Sequence, residues 1–510
     1  MDMEFMSGLY RLITVIIVLL VTIFVIKILR RIWSKGDNKK LFPPMAGTIF
    51  HQLLNFSTVH DYHTKISRKY KTFRLFTPFG NQTYTVDPEN IEYILRTNFK
   101  NYGKGEYNYQ NCKELLGDGI FAVDGDKWRH QRKLASYEFT TKVLRDFSGV
   151  VFKCNAAKLA QIVHRGASSN QTLEIQDLFM RSTMDSIFNV GFGVELDSLG
   201  GPDAGNTFTK AFDNSSEYIT RRYFNPFWKI MRLMNIGPEA ELKEGIKLVD
   251  DFVYKIIHAR MEHKSTQDSD SMKKEDILSR FLVEREKDPA NMTDKYLRDI
   301  ILNFLIAGKD TTAGTLSWFI YMLCKHPWIQ DKVAQQVKEA TEACKNTEID
   351  EFARNLTDKA LDGMHYLHAA LTETLRLYPS VPLDAKVCFS DDTLPDGFTV
   401  EKGDIIFYQP YPMGRMKYIW GDDAEIFRPE RWLDDNGIFK PESPFKFTAF
   451  QAGPRICLGK DFAYRQMKIF AAVLLHFFSF KLSDEDKVVK YRTMITLHID
   501  QGLHINAFHR

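Results

Sequence analysis

A short stretch near the C-terminus combines an aromatic residue, two glycines, an arginine and a cysteine at fixed spacings. These are Phe450, Gly453, Arg455, Cys457 and Gly459, in the order F-x-x-G-x-R-x-C-x-G. A cysteine can bind a haem iron as a thiolate when it lies on a rigid, partly dry turn, with backbone N–H groups and a helix N-terminus directed at its sulfur. The spacing therefore predicts that Cys457 is the axial ligand of a haem iron.

The neighbours of the cysteine each have a predicted role in such a site. Gly453 suits the positive φ of a tight turn, and Gly459 lets the backbone approach a macrocycle closely. Arg455 can hold a haem propionate by charge-assisted hydrogen bonds, and Phe450 can shield the thiolate from water. The helical pattern that follows Cys457 supplies the helix N-terminus. An accidental cysteine in a glycine-rich loop does not account for all of these spacings.

A second chemical pattern lies in the middle of a long apolar helix. One helix is predicted that Thr293 caps and Pro327 ends. Its centre carries Gly308, Asp310 and Thr311, although a glycine costs about 1 kcal/mol inside a helix. Close packing of another helix at the glycine, together with a threonine bonded to its own backbone, would explain this pattern equally well. The residues alone leave both interpretations open.

The composition is that of a large folded protein with no excess of either charge. The chain has 510 residues, 44% of them hydrophobic and 13% aromatic, with 68 Lys+Arg against 65 Asp+Glu. These values exclude a disordered chain and a polybasic nucleic-acid-binding protein, so we expect no nucleic-acid partner. The six cysteines show no C-x-x-C spacing, which argues against a disulfide scaffold or a zinc ribbon. The length alone would suggest about three domains, but no strong linker divides the chain.

The N-terminus departs from this average composition. Residues 12–26 form an unbroken run of 15 apolar or threonine residues, and apolar flanks extend it towards the roughly 20 residues that a bilayer helix needs. Six basic residues follow this run before position 41, whereas two acidic residues precede it. We predict a single-pass membrane anchor at 1–30, a basic and proline-rich hinge at 31–45, and one cytosolic globular domain at 46–510. A cleaved signal peptide is the alternative, but no small-residue cleavage site is present.

With these features the sequence resembles the cytochrome P-450 superfamily of haem-thiolate monooxygenases over essentially its whole length. The resemblance implies a mainly α-helical P-450 fold with small β-sheets, preceded by the N-terminal transmembrane helix. It also implies haem b as cofactor, NADPH and O2 as co-substrates, and a separate NADPH–cytochrome P-450 reductase as the electron-donating partner. A protein of this kind is expected in the endoplasmic reticulum membrane, with its catalytic domain facing the cytosol.

Two further motifs occupy positions that this resemblance predicts. The segment A-G-K-D-T-T resembles the family's oxygen-activation helix, and the resemblance makes Asp310 and Thr311 the catalytic proton relay. Trp128 and Arg132 match the W-x-x-x-R pair that holds the haem propionates. Taken by themselves, these two residues would be ordinary helix-surface residues.

A third motif matches the buried structural triad of the superfamily. Glu373 and Arg376 form an E-x-x-R pair, and Arg431 in the segment P-E-R-W would complete the triad. A carboxylate and a guanidinium three residues apart are weak evidence alone, because such pairs are common on helices. Glu351 and Arg354 have the same spacing, and we expect that copy on a solvated helix face. The triad residues are predicted to be structural rather than catalytic.

Longer blocks of sequence indicate one branch of the superfamily. Residues 97–105, 117–133, 412–432 and 449–459 resemble plant long-chain fatty-acid ω-hydroxylases, in particular the branch numbered 704. The resemblance implies hydroxylation of a long-chain fatty acid at or near its terminal carbon. Alternative activities are hydroxylation of another lipophilic substrate, such as an alkane, terpenoid or steroid, and an oxygen-independent hydroperoxide isomerase or lyase. A haem- or lipid-binding membrane protein without turnover, or an anchored scaffold, is a further alternative from a different class.

Terminal hydroxylation requires a narrow apolar channel, because a terminal C–H bond is stronger than its internal neighbours and must be selected by position. The loop before Trp128, the central helix and the segment after the E-x-x-R helix are predicted to line this channel. The candidate lining residues are Ile120, Phe121, Phe304, Ala307, Val381 and Leu383, with Thr311 and Pro382 beside them. Core packing explains each of them equally well, and the sequence offers no readable anchor for a carboxylate.

Two surface predictions concern the membrane and the reductase. One segment mixes aromatic and basic side chains, and its Phe227 and Trp228 are predicted to touch the membrane surface. A buried aromatic cluster at a helix end is the simpler explanation for the same residues. The lysines around the cysteine loop, Lys446, Lys460 and Lys468, are candidates for contact with an acidic reductase surface.

Overall fold

A computed structural model describes residues 15, 19, 22 and 26, and then 41–77, 80–140, 142–200, 204–266, 276–290, 292–341 and 347–510. The predicted anchor at 1–30 lies outside the described residues except for those four positions, and most of the hinge at 31–45 also lies outside them. Within the described part of the chain, no helix is both long and apolar enough to cross a membrane.

The described part of the chain is mainly helical, as predicted. The longer helices carry the apolar periodicity of surface and core helices, and the shorter ones join them. In chain order the α-helices are α1 Ile49–Leu54, α2 Val59–Ser67, α3 Pro88–Glu92, α4 Gly105–Leu116, α5 Gly125–Thr140, α6 Lys142–Ser168, α7 Ile175–Phe192, α8 Ala204–Phe224, α9 Trp228–Met234, α10 Pro238–Thr266, α11 Ile277–Lys287, α12 Asp294–Leu305, α13 Thr311–Lys325, α14 Pro327–Thr341, α15 Ile349–Asn355, α16 Asp358–Gly363, α17 His365–Leu377, α18 Pro410–Met413, α19 Lys417–Trp420 and α20 Lys460–Phe477.

Small β-sheets accompany the helices, which confirms the predicted mainly α-helical fold with small β-sheets. The largest has six strands in the order β1-β2-β3-β9-β6-β4, a second has the order β10-β13-β5, and two further sheets are strand pairs. The strands are β1 Met45–Thr48, β2 Thr72–Thr77, β3 Gly80–Thr85, β4 Tyr102–Gly103, β5 Leu173–Glu174, β6 Asp384–Cys388, β7 Asp392–Thr393, β8 Thr399–Val400, β9 Ile405–Tyr408, β10 Phe478–Leu482, β11 Tyr491–Arg492, β12 His498–Ile499 and β13 His504–His509.

The central helix begins at the predicted cap but is interrupted in the middle. The Thr293 hydroxyl accepts a hydrogen bond from the Tyr296 N–H at 3.3 Å, and α12 follows. A π-helical turn at Ile306–Asp310 separates α12 from α13. A Cβ atom added to Gly308 would lie 2.7 Å from Ile187 Cδ1 of α7, so the glycine permits close packing of the two helices. The expectation of one continuous α-helix is therefore wrong at the point where α7 crosses it.

The cavity described next is surrounded by two large hydrophobic clusters. The first contains α13, α17 and α20, and the second contains α12 with parts of α7, α8 and α10. The six-stranded sheet contributes the segment 381–386, which precedes and begins β6. Elements from every third of the chain thus line the same interior space.

Candidate active site

Most of the predicted site residues converge on one cavity of about 370 Å³, whereas Asp310 and Gly453 lie outside its wall. Its wall includes the cysteine loop, the π-helical turn and the start of β6. All six predicted substrate residues belong to this wall: Ile120, Phe121, Phe304, Ala307, Val381 and Leu383. Thr311 and Cys457 lie on the same wall. The fold therefore brings together segments that are more than 300 positions apart in sequence.

The cysteine loop is held in a fixed conformation by its backbone. The Cys457 N–H donates to Phe450 O at 2.8 Å, which closes the loop on itself. Gly453 has a φ of +64°, and a Cβ atom at this position would lie 1.9 Å from Leu95 O. Gln451 also has a positive φ, of +62°, and its amide contacts Tyr408 and Asp384. The predicted need for glycine at position 453 is therefore explained by both φ and space.

Cys457 lies on the cavity wall and is exposed to the cavity. The protein atoms packed around its thiol raise the pKa of that thiol, while the Gly459 N–H and the positive charges of Arg132 and Lys460 favour the thiolate. Gly459 is also the N-cap of α20, so a helix N-terminus begins beside the sulfur. A bound metal ion removes the thiol proton outright. The donor set thus suits a thiolate that ionises when it binds a haem iron.

The predicted propionate residues form a basic group beside the loop. Arg132 Nη2 donates to Ile456 O at 2.6 Å, and the Arg455 guanidinium lies 4.4 Å from the Trp128 ring. Arg455 also forms an ion pair with Asp124. Its buried Nε has no hydrogen-bond partner among the described residues. A haem propionate reaching this group would supply the missing acceptor.

Two lysines of the same wall were missed by sequence reasoning. Lys104 Nζ lies 2.6 Å from Asp384 Oδ1, and Lys386 Nζ lies 3.0 Å from Asp384 Oδ2. Burial lowers the pKa of Lys386 to about 7, although Asp384 opposes this shift. Lys104 lies in the block 97–105, which is evidence of the 704-type branch and not of the site, and Lys386 belongs to no recognised motif. Strand pairing between β4 and β6 brings these two distant segments together.

The charges of this wall match those of a haem. Its charged side chains are Lys104, Arg132, Lys386, Arg455 and Asp384, and a second acid, Asp124, pairs with Arg455 beside the wall. Two positive charges are left without a carboxylate when all six are ionised. The two propionates of haem b would neutralise them, with Cys457 binding the iron. The residues present therefore fit haem b.

The central helix presents Thr311 to the cavity, and its hydroxyl bonds to the helix backbone. Thr311 Oγ1 donates to Ala307 O at 2.6 Å, and Thr312 also lies on the wall. Close helix packing at Gly308 and this hydrogen bond from Thr311 to the backbone are the two features that would explain the residue pattern without a catalytic role. They are compatible with a catalytic role, because a hydroxyl that donates to a carbonyl still accepts hydrogen bonds.

The structure does not place the Asp310 carboxylate on the cavity wall. Asp310 Oδ1 lies 2.6 Å from Lys309 Nζ, which also contacts Asp213 Oδ1 at 3.0 Å. Burial raises the pKa of Asp310, and the nearby Asp213 carboxylate adds to this effect. Asp310 Oδ2 is buried without a hydrogen-bond partner among the described residues. Successive residues of a helix point about 100° apart, which is why Asp310 turns away where Thr311 faces the cavity.

The predicted structural triad is present and buried. Arg376 pairs with Glu373 through Nε–Oε2 and Nη2–Oε1 contacts, both of 2.7 Å. Arg431 Nε lies 3.4 Å from Glu373 Oε1, and Trp432 Nε1 donates to Glu373 Oε2 at 2.9 Å. Arg376 further donates to backbone carbonyls of the segment 414–426. These contacts join α17 to the segment before the cysteine loop.

The second E-x-x-R copy lies on the surface, as expected. Glu351 and Arg354 of α15 are both exposed, and Arg354 Nε donates to Asp350 O at 3.2 Å. Spacing alone therefore does not distinguish the buried pair from the solvated one. The apolar character of α17 makes that distinction.

The surface predictions are only partly consistent with the structure. Lys468 is buried, its Nζ donates to Leu361 O at 2.8 Å, and burial lowers its pKa to about 8. The expectation that Lys468 faces a reductase is therefore wrong, because α20 turns this side chain into the core. Lys460 is exposed and Lys446 is half-buried beside Glu442. The two aromatic candidates for membrane contact also differ in exposure, because Phe227 is exposed whereas Trp228 is half-buried.

Comparisons with known proteins agree with this site. The cytochrome P450 family model matches residues 42–505. The chain is 52% identical over 492 residues to cytochrome P450 704C1 of Pinus taeda, covering 94% of this chain and 93% of that protein. It is 45% identical to cytochrome P450 704B1 of Arabidopsis thaliana, covering 93% and 96% of the two chains. It is 40% identical to cytochrome P450 86B1 of Arabidopsis thaliana, covering 84% and 78%.

Members of this family use haem b, with NADPH and O2 as co-substrates and a reductase as electron donor. A closed cysteine loop, a group of basic side chains beside it and a buried E-x-x-R triad are all present in the described residues. The protein therefore belongs to the cytochrome P450 family, in its plant 704-type branch, and is a haem-dependent monooxygenase.

Proposed function

We propose that the protein hydroxylates a long-chain fatty acid at or near its terminal carbon. The observation that carries this proposal is the cavity, whose apolar wall runs from the cysteine loop past Thr311 to Val381 and Phe121. Haem b bound to Cys457 would supply the oxygen-activating chemistry, with electrons from NADPH through the reductase. A long aliphatic chain suits such a wall, because each buried methylene contributes about 0.8 kcal/mol.

The chain's own residues position the substrate. Ala307 lies on the π-helical turn beside Gly308, and a Cβ atom at Gly308 would lie 2.7 Å from Ile187 Cδ1 of α7. Val381 and Leu383 come from the segment before β6, and Phe121 comes from the loop after α4. Side chains from three separate elements restrict lateral movement. The methyl end can then be selected by position although its C–H bond is the stronger one.

Thr311 and Asp310 are proposed to deliver protons to the oxygen chemistry. Thr311 is on the cavity wall, and its hydroxyl can pass on a proton that it replaces from the next donor. Asp310 can take part in proton delivery only if its carboxylate leaves the ion pair with Lys309 and forms a hydrogen bond to Thr311, directly or through a water molecule. The unpaired Oδ2 and the competition of Asp213 for the same ammonium make this exchange less costly than breaking an isolated ion pair.

We also propose that residues 1–30 anchor the protein in the endoplasmic reticulum membrane, with 31–45 as the hinge and 46–510 as the haem domain on the cytosolic side. Support comes from α9, which has no buried residue. Ile230, Leu233 and Met234 of this helix are exposed, as is the preceding Phe227. An apolar surface of this kind next to basic residues is typical of contact with a membrane surface. Trp228, in contrast, is half-buried with its ring 4.3 Å from the Arg222 guanidinium.

The proposal is tested with microsomes that contain the full chain and a plant P450 reductase. A carbon-monoxide difference spectrum first establishes that the haem-thiolate protein has assembled. Saturated fatty acids of graded length and the matching alkanes are then supplied with NADPH, and the hydroxylation position is read by mass spectrometry. Products at or next to the terminal carbon of the acids are expected. Oxidation confined to mid-chain positions, or oxidation of the alkanes without oxidation of the acids, would refute it.

A further inference from the structure

One corner of the cavity is polar and is built by elements distant in sequence from the cysteine loop. It consists of His60 on α2, Thr220 and Tyr223 on α8, and Thr493 after β11. These elements meet at Phe56, whose carbonyl accepts a hydrogen bond from Thr493 and whose ring packs on α8. We call His60, Thr220, Tyr223 and Thr493 the polar corner.

His60 brings an unsatisfied polar atom to this corner. The residue is only 3% exposed, and its ring lies 5.2 Å from that of Tyr491 and 5.5 Å from that of Tyr411. Its Nε2 is buried and has no hydrogen-bond partner among the described residues. A buried polar atom without a partner is unfavourable, so a ligand atom that bonds to it gains free energy.

The hydroxyl groups of the polar corner already donate to the protein. Thr220 Oγ1 donates to Ser216 O and Thr493 Oγ1 to Phe56 O, both at 2.8 Å. The Tyr223 hydroxyl donates to Asn108 Oδ1. Each hydroxyl oxygen nevertheless keeps acceptor capacity. Among the four side chains of the polar corner, His60 Nε2 is thus a buried polar atom that forms no hydrogen bond with the described residues.

None of the four side chains of the polar corner carries a positive charge. The positive charge of Arg415 also acts on His60, but this guanidinium stacks on the Tyr411 ring at 3.6 Å and lies outside the cavity wall. Burial lowers the pKa of His60 to about 3, and burial raises the pKa of Tyr223 well above its usual range, so both are neutral near pH 7. The other cations in the described lining are the four bases of the propionate group, which bond to Asp124, Asp384 and the Ile456 carbonyl. A carboxylate anion in the corner would therefore be desolvated without an ion-pair partner.

We propose that the polar corner binds the neutral polar end of a long-chain substrate, a hydroxyl or an ester carbonyl, through a hydrogen bond to His60 Nε2. The methyl end of the chain then extends towards Thr311 and the haem. This inference rests on the proposed function, because it requires an aliphatic substrate presented end-on. It narrows the substrate class to long-chain lipids whose polar end is uncharged in the site, which for a fatty acid means its protonated form.

The test measures binding rather than turnover. Hexadecan-1-ol, hexadecane and hexadecanoate are titrated into the holoenzyme, and Kd is read from the ligand-induced change in Soret absorption. The variants are His60→Phe, which removes both ring nitrogens, and His60→Gln, which keeps a donor and an acceptor. His63→Phe is the matched control, since His63 lies on the same helix, is buried with both ring nitrogens unpaired in the described structure, and does not line the cavity.

His60→Phe is expected to raise the Kd of hexadecan-1-ol about three- to tenfold and to leave that of hexadecane within about twofold. His60→Gln and His63→Phe are expected to keep the preference for the alcohol. Wild-type protein is expected to bind hexadecanoate at pH 8 more weakly than the alcohol.

Equal changes for alcohol and alkane in His60→Phe, or tighter binding of hexadecanoate than of the alcohol, would overturn the assignment. A folded His60→Gln protein without the alcohol preference would overturn it as well. If the alcohol preference depends on His60 but no terminal product forms with reductase and NADPH, the proposed function fails while the head-group site stands.

Discussion

At the residue scale, the sulfur of Cys457 can be tested against a second thiol on the same wall. Cys457→Ser is expected to abolish the thiolate-type Soret band of the reduced carbon-monoxide complex, because an alcohol cannot replace the thiolate donor. Cys112 also lines the cavity, and burial raises its pKa to about 12. Cys112→Ser is therefore expected to keep the band. A retained band in the Cys457 variant would remove the assignment of the ligand.

Variants at Gly453 and Gly397 distinguish the cost of backbone strain from the cost of a steric clash, because both glycines have a positive φ but only Gly453 has a close neighbour. Gly453→Ala places a Cβ atom 1.9 Å from Leu95 O in a left-handed backbone, so we expect a loss of stability of roughly 2–5 kcal/mol. Gly397 has a φ of +86° with nothing within 4 Å of its Cβ position, so Gly397→Ala should cost only about 1–2 kcal/mol. The midpoints of urea-induced loss of the Soret band compare the two. Similar midpoints would show that the close contact with Leu95 is unimportant.

A control variant at Thr374 distinguishes the proposed proton relay of Thr311 from the loss of its hydrogen bond to the helix backbone. Thr311→Ala is expected to uncouple turnover, with several-fold more peroxide formed per NADPH consumed, because the wall loses its proton-donating hydroxyl. Thr374 Oγ1 donates to Ala370 O at 2.9 Å in the same i−4 pattern but lies outside the cavity wall. Thr374→Ala should leave the coupling ratio unchanged. An unchanged ratio in both variants would contradict the proposed relay.

Single residues could be predicted from the sequence where local spacing determines the geometry. The cysteine loop is such a case, because a few consecutive residues form its turn and the helix N-terminus beside it. Lys386 could not be found in this way, because its role depends on pairing of β6 with β4 and β9. Lys468 was assigned wrongly because the face of α20 that packs inward is fixed by neighbouring helices.

At the element scale, a buried ionic cluster fastens the exposed helix α9 to the body of the protein. Arg222 of α8 lies 2.6 Å from Glu239 of α10 and 2.7 Å from Glu114 of α4. Arg232 of α9 pairs with Glu114 and donates to Glu239 O at 3.0 Å. Four helices around the cavity are therefore joined by two arginines and two glutamates.

Removing one charge from this cluster is expected to destabilise the protein strongly. Glu239→Gln leaves the fully buried Arg222 with a poorer partner, and breaking a buried pair costs about 3–5 kcal/mol. Glu442→Gln, at a more exposed pair with Lys446, should cost less than about 1 kcal/mol. Thermal loss of the Soret band measures both. Equal losses would show that solvent already screens the cluster.

The central helix shows which part of an element the sequence predicts. Its start at Thr293 followed from capping chemistry, which is local. A glycine in the sequence marks the place of the π-helical turn, but the turn itself depends on packing, because Ile187 of another helix fills the space at Gly308. Local signals therefore gave the ends of the helix, and packing determined its interior.

At the scale of the whole molecule, membrane contact beyond the anchor can be measured on a chain lacking residues 1–30. This chain is expected to bind liposomes more weakly, and Phe227→Ser with Leu233→Ser should reduce binding several-fold further, because both side chains are exposed and apolar. Val488→Ser is the control, since Val488 is also apolar and exposed, at 74%, but lies more than 250 residues after α9 in the sequence. Flotation with vesicles reports the bound fraction. Equal loss in control and double variant would refute a specific surface.

The interruption at Ile306–Asp310 lies where the two large hydrophobic clusters meet. Residues of α12 pack in one cluster and residues of α13 in the other, while α7 contributes residues to both and contacts the turn at Gly308. A π-helical turn holds one residue more than an α-helical turn, so it rotates the apolar face of α13 by about 100° relative to that of α12. One inserted residue thus lets a single helix present an apolar face to each of two cores.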